Sequence, residues 1–271
     1  MAKNISLGGW GDGLRENLGT ALLAIACISL VLGLQLPRLN QIRNSNEELT
    51  LPEIERELAQ EEIRLQVWRQ IPSFSFDNLL ANWVFLQFAQ YFGDDPARLQ
   101  TGYSLSPQYF EIIVDRDPRF LGAYVPLSTS ISIYSAQPEI SIALMDQGLK
   151  SMNPQTPPRS YFVWRLKAID QLLFLGDGLG AKQSFLTSAE WASNYTDEES
   201  QYLTITSRQT AEFLDRNPNS KNAQVAAWTM VLGNVTDART KEIARERLEA
   251  LGARIVTNAD GSINILNPIE D

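Results

Sequence analysis

Hydrophobic and polar positions along the chain fall into three regimes. Residues 18–36, LGTALLAIACISLVLGLQL, are apolar without a single charge, and Pro37-Arg38 closes the run. About 19 residues rising 1.5 Å each make a helix of roughly 28 Å, close to the thickness of a bilayer's hydrocarbon. The run is long for a signal-peptide core, and its exit, LQLPRLN, lacks the small-x-small pattern of a cleavage site. The pattern therefore predicts one uncleaved transmembrane anchor. A buried helix of a soluble core and a signal peptide are the alternatives. Residues 1–17 read as a flexible tail and 37–49 as a polar linker.

From residue 50 the period becomes helical. Thr50-Leu51-Pro52-Glu53 is a capping-box pattern. It predicts a helix to about Arg69, with Ile54, Leu58, Leu65 and Trp68 on one stripe. Ser73–Gly93, SFSFDNLLANWVFLQFAQYFG, carries apolar residues around most of its circumference, and Asp77 is a candidate cap. Such a helix belongs between others. A helix on a membrane surface and the wall of a ligand groove are the other two readings.

Helix pairs follow, and none of them reads as strand. One helix ends through Tyr109–Val114 at Asp117-Pro118. Leu121–Tyr134 pairs with Glu139–Met152, and Tyr161–Leu175 with Leu179–Tyr195 around Gly176-Asp177-Gly178. Glu198–Arg216 stops at Asn217-Pro218, and Asn222–Leu232 pairs with Ala238–Leu251. In the third regime, RIVTNADGSINIL (254–266), two β-branched runs flank Asp260-Gly261, a hairpin signal. Asn258, Asp260 and Gly261 imitate part of a calcium loop. Val256 and Asn267 would fill its first and twelfth positions, so the acidic ligands are missing.

Composition narrows the function classes. The 271 residues carry 23 Lys and Arg against 32 Asp and Glu, a net charge of −9, and no basic cluster that would displace counterions from nucleic acid. There is no histidine, which removes the usual general base and metal ligand, and one cysteine, Cys27, which permits no intrachain disulfide. The acidic pair Asp115 and Asp117 in IVDRDPRFLGAY has no histidine, thiol or second carboxylate motif to work with. The adjacent pairs Glu47-Glu48, Glu61-Glu62, Asp94-Asp95 and Glu198-Glu199 do not face one another on a helix. No Ser-x-x-Lys spacing occurs, and Gly176-Asp177-Gly178-x-Gly180 joins two helices where a phosphate loop would leave a strand. No catalytic residue, metal or cofactor is expected. A hydrolase built on two carboxylates across a cleft stays as the minor alternative.

Within 75–251 the chain resembles tetratricopeptide-repeat proteins, whose 34-residue units are helix pairs with an aromatic and Leu-Gly on the first helix, then Ala-x3-Phe and a closing proline on the second. Phe110 stands eight residues before Pro118. Tyr124 and Leu127 take first-helix positions, with Ser128 where the family has glycine. Trp164 leads the next unit, and Ala181, Phe185 and Ala189 supply its second helix. Trp228 with Leu232-Gly233 resembles the start of a last unit. No unit is complete, and Pro118 and Pro154 lie 36 positions apart, so other helical repeats or an irregular helical domain remain as alternatives. One anchor, an aromatic ANWVFLQFAQYFGD helix, a DPRFLGAY junction and a helical-repeat body together resemble membrane-anchored repeat proteins of bacteria, cyanobacterial ones above all.

The expected fold class is thus all-α: an N-terminal transmembrane helix (18–36), a repeat-like helical domain (50–251), then a β-hairpin and tail (252–271). The resemblance implies a tethered protein-interaction scaffold, an accessory or assembly factor of a membrane complex, with photosynthetic complexes among the candidates. It also implies a thylakoid or plasma membrane. A net-acidic domain behind a near-tied flanking charge count favours the luminal or periplasmic side. Candidate partner contacts are Asn82, Gln87, Tyr91, Arg165 and Gln171 on the first helices, with Asp115 and Arg116 at the junction. A helical protein that binds a small molecule, lipid or pigment is the second functional class.

Overall fold

A computed structural model describes residues 24–33, 35–36, 51–218, 221–235, 237–257 and 263–268. The chain divides into two compact units, 1–53 and 54–271. In the first, residues 24–33 and 35–36 are helical and exposed. The rest of the predicted anchor, the linker and the Thr50 cap lie outside the described residues. No helix among those described is long and apolar enough to cross a membrane.

The second unit is mostly helical and closes on one two-stranded antiparallel sheet. Its helices are α1 (Leu51–Gln70), α2 (Asp77–Phe92), α3 (Asp95–Thr101) and α4 (Ser106–Arg116). A 3₁₀ turn (Leu121–Ala123) leads into α5 (Tyr124–Ser128), then come α6 (Pro138–Leu149), α7 (Tyr161–Asp170), α8 (Gly178–Ala192), α9 (Glu198–Arg216), α10 (Lys221–Asn234) and α11 (Ala238–Ala250). Strands β1 (Arg254–Thr257) and β2 (Ile263–Leu266) pair with Ile255 opposite Ile265. The predicted hairpin is therefore present, while its Asp260-Gly261 turn lies outside the described residues.

Helix ends follow local chemistry. Asp177, Asp197 and Asp237 each accept a hydrogen bond from the backbone N–H three residues on, at 2.8, 3.1 and 2.9 Å. That satisfies donors the first turn leaves open. Proline opens α6, and Asp117 and Asn217 close α4 and α9. Asp77 does not act as the cap of α2. It is the first helical residue, preceded by Phe76, which makes no side-chain cap.

Two antiparallel hairpins repeat in detail. In each, the first helix ends in π geometry, Thr129–Tyr134 after α5 and Gln171–Leu175 after α7. Just beyond it a residue has a left-handed backbone, Ala136 at φ 51° two residues after the first π segment and Gly176 at φ 65° directly after the second. Gln137 N–H then donates to Ile131 O, and Asp177 N–H to Gln171 O, both at 2.9 Å. The two closures lie 40 positions apart, longer than the 34-residue tetratricopeptide unit. The hairpins α5–α6 and α7–α8 pack side by side, with α4 before them and α9 after them. The last hairpin leaves this row. Its Trp228 is buried against Phe174, ring centroids 5.6 Å apart, and donates its indole N–H to Phe174 O at 3.2 Å. Helix α10 thereby lies over the π ends of both preceding hairpins. Helix α8 meets the α9–α10 connection so closely that a Cβ on Gly178 would stand 1.8 Å from Pro218 O.

Candidate functional site

Three concave features cluster around α1, α2 and α4. The first is polar, about 180 Å³, and lined by Glu57, Glu61, Gln87, Tyr91, Asp94 and Arg98 among others. Here the Arg98 guanidinium lies 3.9 Å over the Tyr91 ring and donates to Gly102 O at 3.1 Å. Leu105 N–H donates to the Tyr91 hydroxyl at 3.1 Å. Tyr109 donates to the Glu61 carboxylate, which also pairs with Arg64 at 2.9 Å. Burial drives the Tyr109 phenol far above its ordinary range, and Glu61 adds to the effect. Burial also raises Tyr91. Both phenols stay neutral at any working pH, so they act in this cleft as hydrogen-bonding groups beside the guanidinium groups of Arg64 and Arg98.

The second feature is shallow, lined by Arg69, Glu111, Ile112, Asp115, Arg116 and Gln147. Arg116 is committed within it. Its Nη2 donates to Arg69 O at 2.9 Å and Ile71 O at 3.0 Å, and its Nη1 faces Asp77 at 3.3 Å. A cation on the last carbonyls of a helix complements the helix dipole, so Arg116 fastens the end of α1. The Ser73 hydroxyl, and then Arg116, hold the Asp77 carboxyl below its usual range. Asp115 is exposed. Asp117 accepts a hydrogen bond from Arg119 N–H at 3.1 Å and so shapes the turn.

The third feature is an apolar cleft of about 350 Å³ where α1 turns into α2, lined by Trp68, Ile71, Pro72, Phe76, Leu79 and Trp83 among others. Trp68 and Trp83 rings are 6.4 Å apart, and among the described residues the buried Trp68 indole N–H has no acceptor. Around this elbow the surface is strongly apolar. Phe74 is 80% exposed, Leu79 65% and Phe76 63%.

The residues chosen from sequence separate accordingly. Gln87 and Tyr91 meet in the polar cleft, and Asp115 and Arg116 in the shallow one. Asn82 is exposed on α2. Tyr91 and Gln171, read as exposed contacts, are buried at 7% and 8% exposure. Gln171 accepts from Ser184 Oγ at 2.7 Å and donates toward Asp177 at 3.4 Å, so it braces a hairpin turn. Arg165 is half-buried, bonded to Ser207 Oγ at 3.0 Å, and burial lowers its pKa. These three sit at helix positions that turn inward, which a residue-type reading cannot see.

Sequence reasoning missed one cluster. The Asp170 carboxylate is 1% exposed and accepts from Ser128 (2.9 Å), Ser132 (2.6 Å) and Ser141 (2.8 Å). Burial lifts its pKa to about 6 against the lowering by the three hydroxyls. Ser128 and Ser132 stand one helical turn apart, a signal for a shared polar partner; Asp170 is 38 positions beyond Ser132. Among the described residues, no three acidic, thiol or imidazole groups gather as a metal cage would require. Comparison with protein-family models, with curated proteins and with solved structures gives no match.

Proposed function

We propose that the chain is a membrane-tethered interaction scaffold, an accessory or assembly factor of a membrane complex, built on a helical body akin to tetratricopeptide repeats. One observation carries the reading. The first helices of the body gather a polar cleft, a shallow charged pocket and an exposed apolar elbow. A stack of helix pairs offers surface for recognition, and differential binding on that surface is its work. The apolar run at 18–36 supports tethering, which raises the local concentration of such a surface near other membrane proteins. A photosynthetic membrane is the setting that the cyanobacterial resemblance suggests.

Affinity purification of the full chain from native membranes tests this. A stoichiometric membrane protein should come down with it, and charge reversal at the exposed Asp115, on the shallow pocket, should lower that yield. Recovery of the chain alone would overturn the scaffold reading.

A further inference from the structure

The elbow presents a second apolar face to solvent besides the one it buries. On α1, Leu65 and Trp68 turn inward while Ile63 and Val67, one turn apart, are 60% and 52% exposed. On α2, Ala81, Val84 and Phe88 turn inward, while Leu79, Trp83 and Leu86 are 65%, 46% and 57% exposed. That second set has the spacing of one helical face. Between them the tip carries Phe74 and Phe76. Phe74 and Ser75 hold φ of 48° and 72°, a conformation that residues with a Cβ avoid at a cost of about 1–2 kcal/mol each. The backbone is thus strained in the arrangement that thrusts Phe74 outward, where water offers nothing in return.

We propose that this elbow is a wedge that inserts into the boundary between headgroups and acyl chains of the bilayer to which residues 18–36 tether the chain. The proposal rests on the tethering reading. Three observations select lipid as the occupant. The seven outward side chains, Ile63 to Leu86, are all uncharged, and the exposed polar residues beside them on α2, Asn78 and Asn82, are neutral. Two pairs of charges behind the tip neutralise each other, Arg116 with Asp77 and Arg69 with Glu111, which disfavours a strongly charged peptide. The tip also leaves its aromatics open to solvent, Phe74 at 80% and Phe76 at 63% exposure. A bilayer interface accepts Phe and Trp without a set outline, whereas a folded partner would need a matching surface. On the tethering reading, the apolar run at 18–36 supplies the bilayer. Insertion therefore draws on a high local concentration of lipid. Because the patch is neutral, uncharged and zwitterionic lipids suffice.

Cys27 is the sole cysteine, so a Cys27→Ser background accepts single spin labels in the full chain. Labels placed by Phe74→Cys and Leu79→Cys are compared with Arg208→Cys, an exposed position on α9, in vesicles of phosphatidylcholine. Labels at 74 and 79 should collide readily with dissolved oxygen and lose access to a water-soluble nickel chelate, with the reverse at 208. Chelate access at 74 equal to that at 208, in protein that resists alkaline carbonate extraction, overturns the wedge and leaves the tether standing. Spin–spin broadening between copies at 74 identifies a second copy as the occupant and also overturns it. Release of the chain by carbonate overturns the tether first and the wedge with it.

Discussion

Asp170 is the residue whose chemistry is furthest from its surroundings. Three hydroxyls from α5, its π extension and α6 converge on one carboxylate in the interior. The hydroxyls stabilise the ion, but burial outweighs them and the pKa rises from 3.8 to about 6. A group whose folded pKa is raised contributes its stability fully below the unfolded value and loses it as pH climbs through the folded one. Between about pH 4 and pH 7 the native state should therefore lose of the order of 1–3 kcal/mol at this site. Asp170→Asn keeps the shape and removes the titration. Thermal unfolding across that range should show the two proteins converging at the acid end, with the wild type falling behind the variant as pH rises. Parallel curves would show that Asp170 does not titrate there. The spacing of Ser128 and Ser132 hints at a shared polar partner, but nothing in the sequence points to Asp170 as that partner. Its partners are ordinary serines in three different elements, and Ser128 reads naturally as a small packing residue in the glycine position of a repeat.

Arg116 shows how an element can be positioned by a side chain that belongs to another. Helix α1 buries Ile54 and Leu65 on the body, but its last turn is held by the Arg116 bonds to the Arg69 and Ile71 carbonyls. Hydrogen bonds from a charged donor are worth about 1.5–3 kcal/mol. Arg116→Ala should thus raise amide exchange in the C-terminal half of α1 by roughly 10- to 100-fold, with α7 and α8 unchanged. A uniform rise across the unit would mean that Arg116 supports global stability and does not specifically fasten α1. The helices themselves were legible because their punctuation is local: Asp117-Pro118, Asn217-Pro218 and the aspartate caps act within a few residues. Short α3 was not, since DPARLQT is too brief to show a period. The π ends were equally hidden. They insert one residue into an otherwise regular helix, a change that helical spacing tolerates and that tertiary packing selects. Of the candidate contacts, Asn82 and Asp115 are exposed as their residue types suggested, whereas Tyr91 and Gln171 turn inward on helices with apolar residues on more than one face.

At the scale of the molecule, the final hairpin distinguishes this body from a linear array. In a solenoid each repeat contacts only its neighbours, and the terminal unit unfolds with little effect beyond the next. Here α10 reaches back over the π ends of both earlier hairpins, joined through Trp228, Phe174, Ile133 and Ala136 in one apolar cluster. Arg247 reinforces the contact, lying 5.5 Å over the Trp228 ring and pairing with Glu139 at 2.5 Å. Removing a fully buried tryptophan typically costs about 3–5 kcal/mol. The distribution of that loss is the informative quantity. If α10 clasps the two hairpins, Trp228→Ala should lower amide protection at 129–134 and 171–175 together with 221–250, and Trp228→Phe should restore part of it. If the hairpin is a terminal repeat, deprotection will stay within 221–266 and both π segments will keep their wild-type exchange. A clasp of this kind would hold the two hairpins at fixed spacing and, through α4, keep the clefts beside α1 in register. It would also make their geometry sensitive to a C-terminal truncation that touches none of their lining residues.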